Sequence, residues 1–151
     1  MKINERFSIA APIDKVWAFI RDPQTVAPCV PGCECVETLS KTSYRSTIGI
    51  ALGPIKARFN VIVQITEETP PGRLVCVTKG EEGSKASIIS ATSEMLLTAV
   101  DDNSTEIACI SEISIVGRLG KFGLGIMKKR AGKLAEEFAA AVQQRMQTVD
   151  V

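Results

Sequence analysis

The chain has 151 residues, 45% of them hydrophobic and 23% charged, enough for one domain over 1–151 that buries roughly two thirds of its surface. A formal charge of +1 gives no overall attraction to nucleic acid, and no window approaches the roughly 20 apolar residues of a membrane span. Five cysteines without framework spacing and no signal-like apolar run after Met1 fit reduced thiols in a soluble, cytosolic protein.

Taken in chain order, Ile3, Glu5, Phe7 and Ile9 recur with the two-residue period of a half-buried strand. Pro12 suits a first helical turn, and Val16, Trp17, Phe19 and Ile20 follow at helical spacing up to Asp22-Pro23, where Asp can cap a second short helix. Pro31-Gly32 predicts a type II turn, with Gly supplying the positive φ. Strands are then predicted over 34–39, 43–52, 54–66, 73–80, 84–100 and 104–116. They are separated by Ser40-Lys41-Thr42, Gly53-Pro54, Pro70-Pro71-Gly72, Glu81-Glu82-Gly83 and Asp101-Asp102-Asn103. Such short connections imply an antiparallel meander.

Ala57, Phe59, Val61, Val63 and Ile65 alternate with polar residues, so one sheet face must be covered. The covering element is the last helix, predicted to run on from the glycine-punctuated stretch after Gly117 to about Gln147. There Leu124, Met127, Ala131, Leu134, Phe138 and Val142 form one apolar stripe. The fold class is therefore α+β, a bent seven-stranded antiparallel sheet wrapped around a long C-terminal helix, with two short helices after the first strand. Several positions expected to face inward are small, namely Ser87, Ala91, Ser93, Ala99, Ser111 and Gly49. They either leave open space beneath the helix or are covered by Met95, Leu97, Met127 and Phe138.

The remaining motifs are weighed by their chemistry. Gly117, Gly120, Gly123 and Gly125 open a helix after a strand, but they lack P-loop spacing and a Gly-Lys-Thr or Gly-Lys-Ser. Cys29, Cys33 and Cys35 cluster without histidine, against the four-ligand habit of zinc sites, so no metal is expected. Without histidine no Ser-His or Cys-His pair exists, and Glu5, Glu94, Glu112 and Tyr44 form no recognisable acid-base constellation. No catalytic residue is assigned. Arg118, Lys121, Lys128, Lys129, Arg130 and Lys133 lie at the start of the last helix, where the dipole does not favour cations. They are candidates to meet an anionic membrane surface or a protein partner at the mouth of a cavity, with a solvated face as the alternative.

Four stretches together carry a family likeness: 11–23 (APIDKVWAFIRDP), 29–34 (CVPGCE), 52–59 (LGPIKARF) and 116–123 (VGRLGKFG). They lie in the order and over the span in which the chain resembles the carbon monoxide dehydrogenase G-subunit family of the START-like (SRPBCC) helix-grip superfamily. The resemblance implies a helix-grip fold with an interior apolar cavity. It also implies an accessory role beside a molybdenum hydroxylase of the carbon monoxide dehydrogenase type, by membrane attachment or quinone handling. On that basis the chain is expected to be a non-enzymatic carrier, with no cofactor beyond a bound isoprenoid quinone or similar lipid, acting peripherally at the inner face of the cell membrane. The expected lining is Phe59, Val61, Ser87, Ala91, Ser93, Met95, Ser111, Leu124, Met127 and Phe138. The alternatives are an assembly or docking factor for the oxidase with a solid core, and a cyclase or hydrolase of the helix-grip kind, against which the missing histidine argues.

Overall fold

Strand β1 (Lys2–Ile9) begins the chain, followed by α1 (Ile13–Arg21), α2 (Pro23–Val26) and a 3-10 turn at Ala27–Cys29. Six strands come next: β2 (Cys33–Thr38), β3 (Ser43–Leu52), β4 (Ile55–Thr69), β5 (Arg73–Glu82), β6 (Ser87–Asp101) and β7 (Ser104–Gly117). Helix α3 (Gly120–Val149) closes the chain. The computed structural model describes residues 1–52, 55–83 and 86–149, without the side chains of Leu52, Ile55, Lys121, Phe122, Thr148 and Val149. The expected Gly53-Pro54 turn lies outside the described residues.

All seven strands form one antiparallel sheet in the order β1-β7-β6-β5-β4-β3-β2, so the first strand closes against the last and the others follow as a meander. Register shifts at Cys33/Cys35, Ile65/Glu67 and Ala99/Asp101 insert bulges, which bend strands and increase their twist. A sheet bent this way has a concave face, and α3 lies in it, packed along β1 and β7.

Local chemistry explains the helix boundaries. Asp22 accepts the Gln24 amide at 2.9 Å with Pro23 in the first turn, so it caps α2 as its sequence position predicts. Gly32 sits at φ +87°, and the Cys33 amide donates to the Val30 carbonyl at 3.1 Å, which closes the expected turn. A Cβ on Gly32 would collide with the Gly49 carbonyl.

The start of α3 is held from a distance. Gly117, at φ +99°, leaves no room for a Cβ beside the Ala86 carbonyl. The next two amides are both used: Arg118 N–H donates to Ala86 at 2.8 Å and Leu119 N–H to the Ser87 hydroxyl at 3.0 Å. Ser87 is 1% exposed, so it caps α3 from another element.

One predicted boundary and two predicted inward positions need correction. Glu81 and Glu82 belong to β5 rather than to a turn, because Glu82 turns inward and receives Arg118 Nη2 at 2.6 Å. Gly49 does not face inward with Ile48 and Ile50; a Cβ there would approach Glu34 Oε1 on the outer side. Ala99, at the bulged end of β6, is exposed.

Candidate functional site

The interior holds two apolar clusters. In the first, Ile9, Val16, Phe19, Ile65, Leu74, Leu97, Ile107, Val142 and Met146 join α1 and the C-terminal part of α3 to the sheet. In the second, Phe59, Val61, Ile115 and Leu119 seat the start of α3, with Ile48, Ile50, Ile89, Ile113 and Met127 around them. Between the two lies a cavity of about 630 Å³.

Its walls draw on both clusters. Strands β3 and β4 supply Ile48, Ile50, Phe59 and Val61, and β7 supplies Cys109, Ser111 and Ile113. Ile3, Glu5 and Phe7 come from β1, and Met127, Ala131, Leu134, Ala135 and Phe138 from α3. Phe7 and Phe138 meet edge to face with ring centroids 5.7 Å apart, a favoured aromatic geometry that fixes the helix above β1. The rim comprises the Val30-Pro31-Gly32 turn, exposed Ala51 of β3, and exposed Arg130, Lys133 and Glu137 of α3.

Of the lining residues expected from sequence, Phe59, Val61, Met95, Ser111, Met127 and Phe138 come together around this cavity. The other four do not line it. Ser87 is used as the remote cap of α3, Leu124 packs into the second cluster, and Ser93 bonds to Ser111 at 2.9 Å between their hydroxyl oxygens. Ala91, on the same inward register as Ser93, is half-buried outside the cavity wall. The basic residues also divide. Arg118 is tied to Glu82, Lys128 and Lys129 are exposed, and Arg130 and Lys133 stand at the rim. The Lys121 side chain lies outside the described residues. The mouth thus sits at the middle of α3, beside the Val30 turn, and not at the helix start.

Sequence reasoning misses Glu5 as a lining residue, Cys109 and most of the aliphatic wall. Glu5 is visible as an inward member of the β1 alternation, but an acid at such a register contradicts the apolar pattern, which gives it no place in a greasy wall. Cys109 lies opposite Glu5 across β1 and β7. Burial first, and then the neighbouring Glu5, push its thiol up to about 12, so at neutral pH it is not a thiolate nucleophile.

Other candidates for acid-base work are committed elsewhere. Glu94 binds Arg73 at 2.7 Å, Glu112 pairs with the Met1 amino group at 3.2 Å, and burial chiefly pushes the Tyr44 phenol up to about 12. All five cysteines are free thiols, and among the described residues no group of His, Cys, Asp and Glu is arranged to hold a metal. Among the same residues no helix is long and apolar enough to cross a membrane.

The comparisons agree with this architecture. No curated protein is matched significantly. Among solved structures, a conserved protein from Geobacillus kaustophilus is 21% identical and superposes with a TM-score of 0.83, over 98% of this chain and 96% of that one. A START superfamily protein from Mycobacterium smegmatis is 12% identical with a TM-score of 0.72, over 98% of both chains. These likenesses establish the START-like fold. A family model for the G subunit of carbon monoxide dehydrogenase (CoxG) matches residues 6–147; with nearly the whole chain matched, the protein belongs to the CoxG family, that of the carbon monoxide dehydrogenase G subunits.

Proposed function

We propose that this chain is a non-enzymatic carrier of an apolar ligand, an isoprenoid quinone or a lipid of that kind, serving a carbon monoxide dehydrogenase-type molybdenum hydroxylase at the membrane face. The family and fold point to a ligand-binding accessory protein, and the observation that carries the finer reading is the cavity of about 630 Å³ between two packed clusters. Its size falls within the 300–1,000 Å³ range of small-molecule sites, and its apolar wall with a few polar groups is their usual composition. At the roughly 30 Å³ per non-hydrogen atom of a liquid, it takes about 20 such atoms. A quinone ring and two or three isoprene units fill that volume, and a longer tail leaves through the rim.

The energetics suit a shuttle. Burying about 400 Å² of apolar ligand at about 25 cal/mol/Å² gains on the order of 10 kcal/mol, less several kcal/mol for association and ordering. Micromolar affinity results, tight enough to extract a lipid and weak enough to release it. Exposed Arg130 and Lys133 stand at the rim, with exposed Lys128 and Lys129 just before them on α3, and an anionic leaflet attracts each nearby cation by about 1 kcal/mol, which would present the mouth to the membrane.

Native mass spectrometry of protein purified from its own host tests the reading. A lipophilic adduct of one molecule per chain is expected; protein that is free of adduct and takes up no added quinone would refute it. That outcome would favour a second reading, an assembly or docking factor for the oxidase without a ligand. One observation speaks for it: Ile88 and Val116, a cross-strand pair on the outer face of β6 and β7, are 52% and 56% exposed.

A further inference from the structure

We propose that Glu5 determines the specificity of the cavity by selecting ligands whose polar end is a hydroxyl, so that of a quinone and its hydroquinone the reduced form is the better held. The inference rests on the carrier reading above and deepens it.

Glu5 lies on the inward register of β1 between Ile3 and Phe7, half-buried, in a wall otherwise built mainly of hydrocarbon. Its Oε1 lies 4.0 Å from where a Cβ on exposed Gly132 of α3 would stand, so the carboxylate reaches the helix at a residue without a side chain. Buried Glu82 of β5 is held by Arg118, and Glu137 of α3 stands exposed at the rim. Among the described residues, Glu5 has neither a hydrogen-bond nor an ion-pair partner. Arg130 and Lys133, which share the cavity, make no ion pair with it.

Ser111 completes the corner. In the β1-β7 ladder Glu5 faces Cys109 and Ile3 faces Ser111, which makes Ser111 the diagonal neighbour of Glu5 on the same face, within roughly 7–8 Å. The Ser93 and Ser111 hydroxyls bond to each other at 2.9 Å. That bond uses one of their two hydrogens and leaves the other to donate. The corner therefore offers a strong acceptor beside a donor, a pair that a hydroxyl satisfies from both sides.

A carbonyl or ether oxygen brought to Glu5 has no hydrogen to give. It also strips water from the carboxylate without replacing that contact, and leaving a desolvated charged group unpaired costs more than a neutral hydrogen bond returns. Oxidised quinones carry only acceptors. Hydroquinones carry two O–H donors and fit the corner.

The test is isothermal titration of the full chain with farnesol and with farnesyl methyl ether, which share an apolar body of the size the cavity takes and differ in the donor. Wild-type protein should bind farnesol at least tenfold more tightly than the ether. Glu5→Leu should bind both equally, with the ether held at least as tightly as by the wild type. Glu5→Gln, which keeps the shape without the charge, should narrow the preference, and circular dichroism should show both variants folded. Equal affinity of the wild type for the two probes, or an unchanged preference in both variants, would overturn the role of Glu5 while leaving the carrier intact. Failure of the wild type to bind either probe would overturn the carrier reading, and this inference with it.

Discussion

Replacing Ala135 with phenylalanine asks whether the interior is open, because the answer is a sign rather than a size. Ala135 lines the cavity from α3, in the turn between Ala131 and Phe138. In a filled core, a large side chain added at such a position strains its neighbours and costs about 1–3 kcal/mol. Within about 630 Å³ of free space, the added phenyl group instead buries on the order of 100 Å² of apolar surface, worth about 2.5 kcal/mol. Helix propensity takes back about 0.5 kcal/mol and lost rotamer freedom about as much again. The net expectation is stabilisation by about 1–2 kcal/mol, seen as a rise in Tm of roughly 2–8 °C for a chain of this length. The ring also occupies six of the roughly 20 atomic places, so affinity for a farnesol-sized probe should fall at least tenfold. Thermal and urea unfolding measure the first effect and titration the second. A variant destabilised by 1–3 kcal/mol that binds the probe as the wild type does would refute the open interior.

Gly117→Ala should cost about 3 kcal/mol in urea unfolding, since φ is +99° and the new Cβ meets the Ala86 carbonyl. Gly125→Ala, with open space around it, should instead gain about 0.5–1 kcal/mol; equal effects would contradict the positive-φ, close-packed backbone at Gly117. The Arg118 guanidinium, and after it the Ser87 hydroxyl, hold the Glu82 carboxyl below its ordinary value of 4.5. A depressed folded pKa stabilises fully above the unfolded value and is lost as pH falls through the folded one. Arg118→Leu should therefore lower stability at pH 7, and the gap to wild type should narrow as pH falls below 4.5 in urea titrations. Burial raises Cys109 from 9.0 to about 12, which lowers its thiolate fraction at pH 8.5 on the order of 10³-fold. Iodoacetamide should label exposed Cys35 long before Cys109, as read by peptide mass; comparable rates would show that β7 is not closed over that thiol.

Much of this fold is written in local patterns. The alternation from Ala57 to Ile65 fixes the face of β4, the stripe from Leu124 to Val142 fixes the face of α3, and Asp22-Pro23 marks a cap that forms as its chemistry requires. What local pattern does not carry is pairing over distance. Glu81-Glu82-Gly83 reads as a turn until Arg118, 36 residues on, draws Glu82 inward. Ser87 reads as a small lining residue until the Leu119 amide claims its hydroxyl.

The site was legible to the extent that alternation reports the inward face, which places Phe59, Val61, Met95 and Ser111 on it. How far the empty space extends along that face depends on where α3 rests. The helix leans on β1 and β7, so the space opens over β3 and β4, near a turn formed by Val30 and Gly32 that no periodicity marks. Glu5 shows the same limit from the other side. Its register is plain in the sequence, but an unpaired carboxylate in an apolar wall acquires meaning only when the residues around it are known.

Fluorescence titration with N-phenyl-1-naphthylamine, a rigid apolar probe small enough for a site of about 20 atoms, shows whether the space beneath α3 is open to a ligand. Saturable binding of one probe per chain at micromolar affinity is expected, displaced by farnesol and weakened in Ala135→Phe. Non-saturable enhancement that farnesol does not displace, and that Ala135→Phe leaves unchanged, would contradict an open interior.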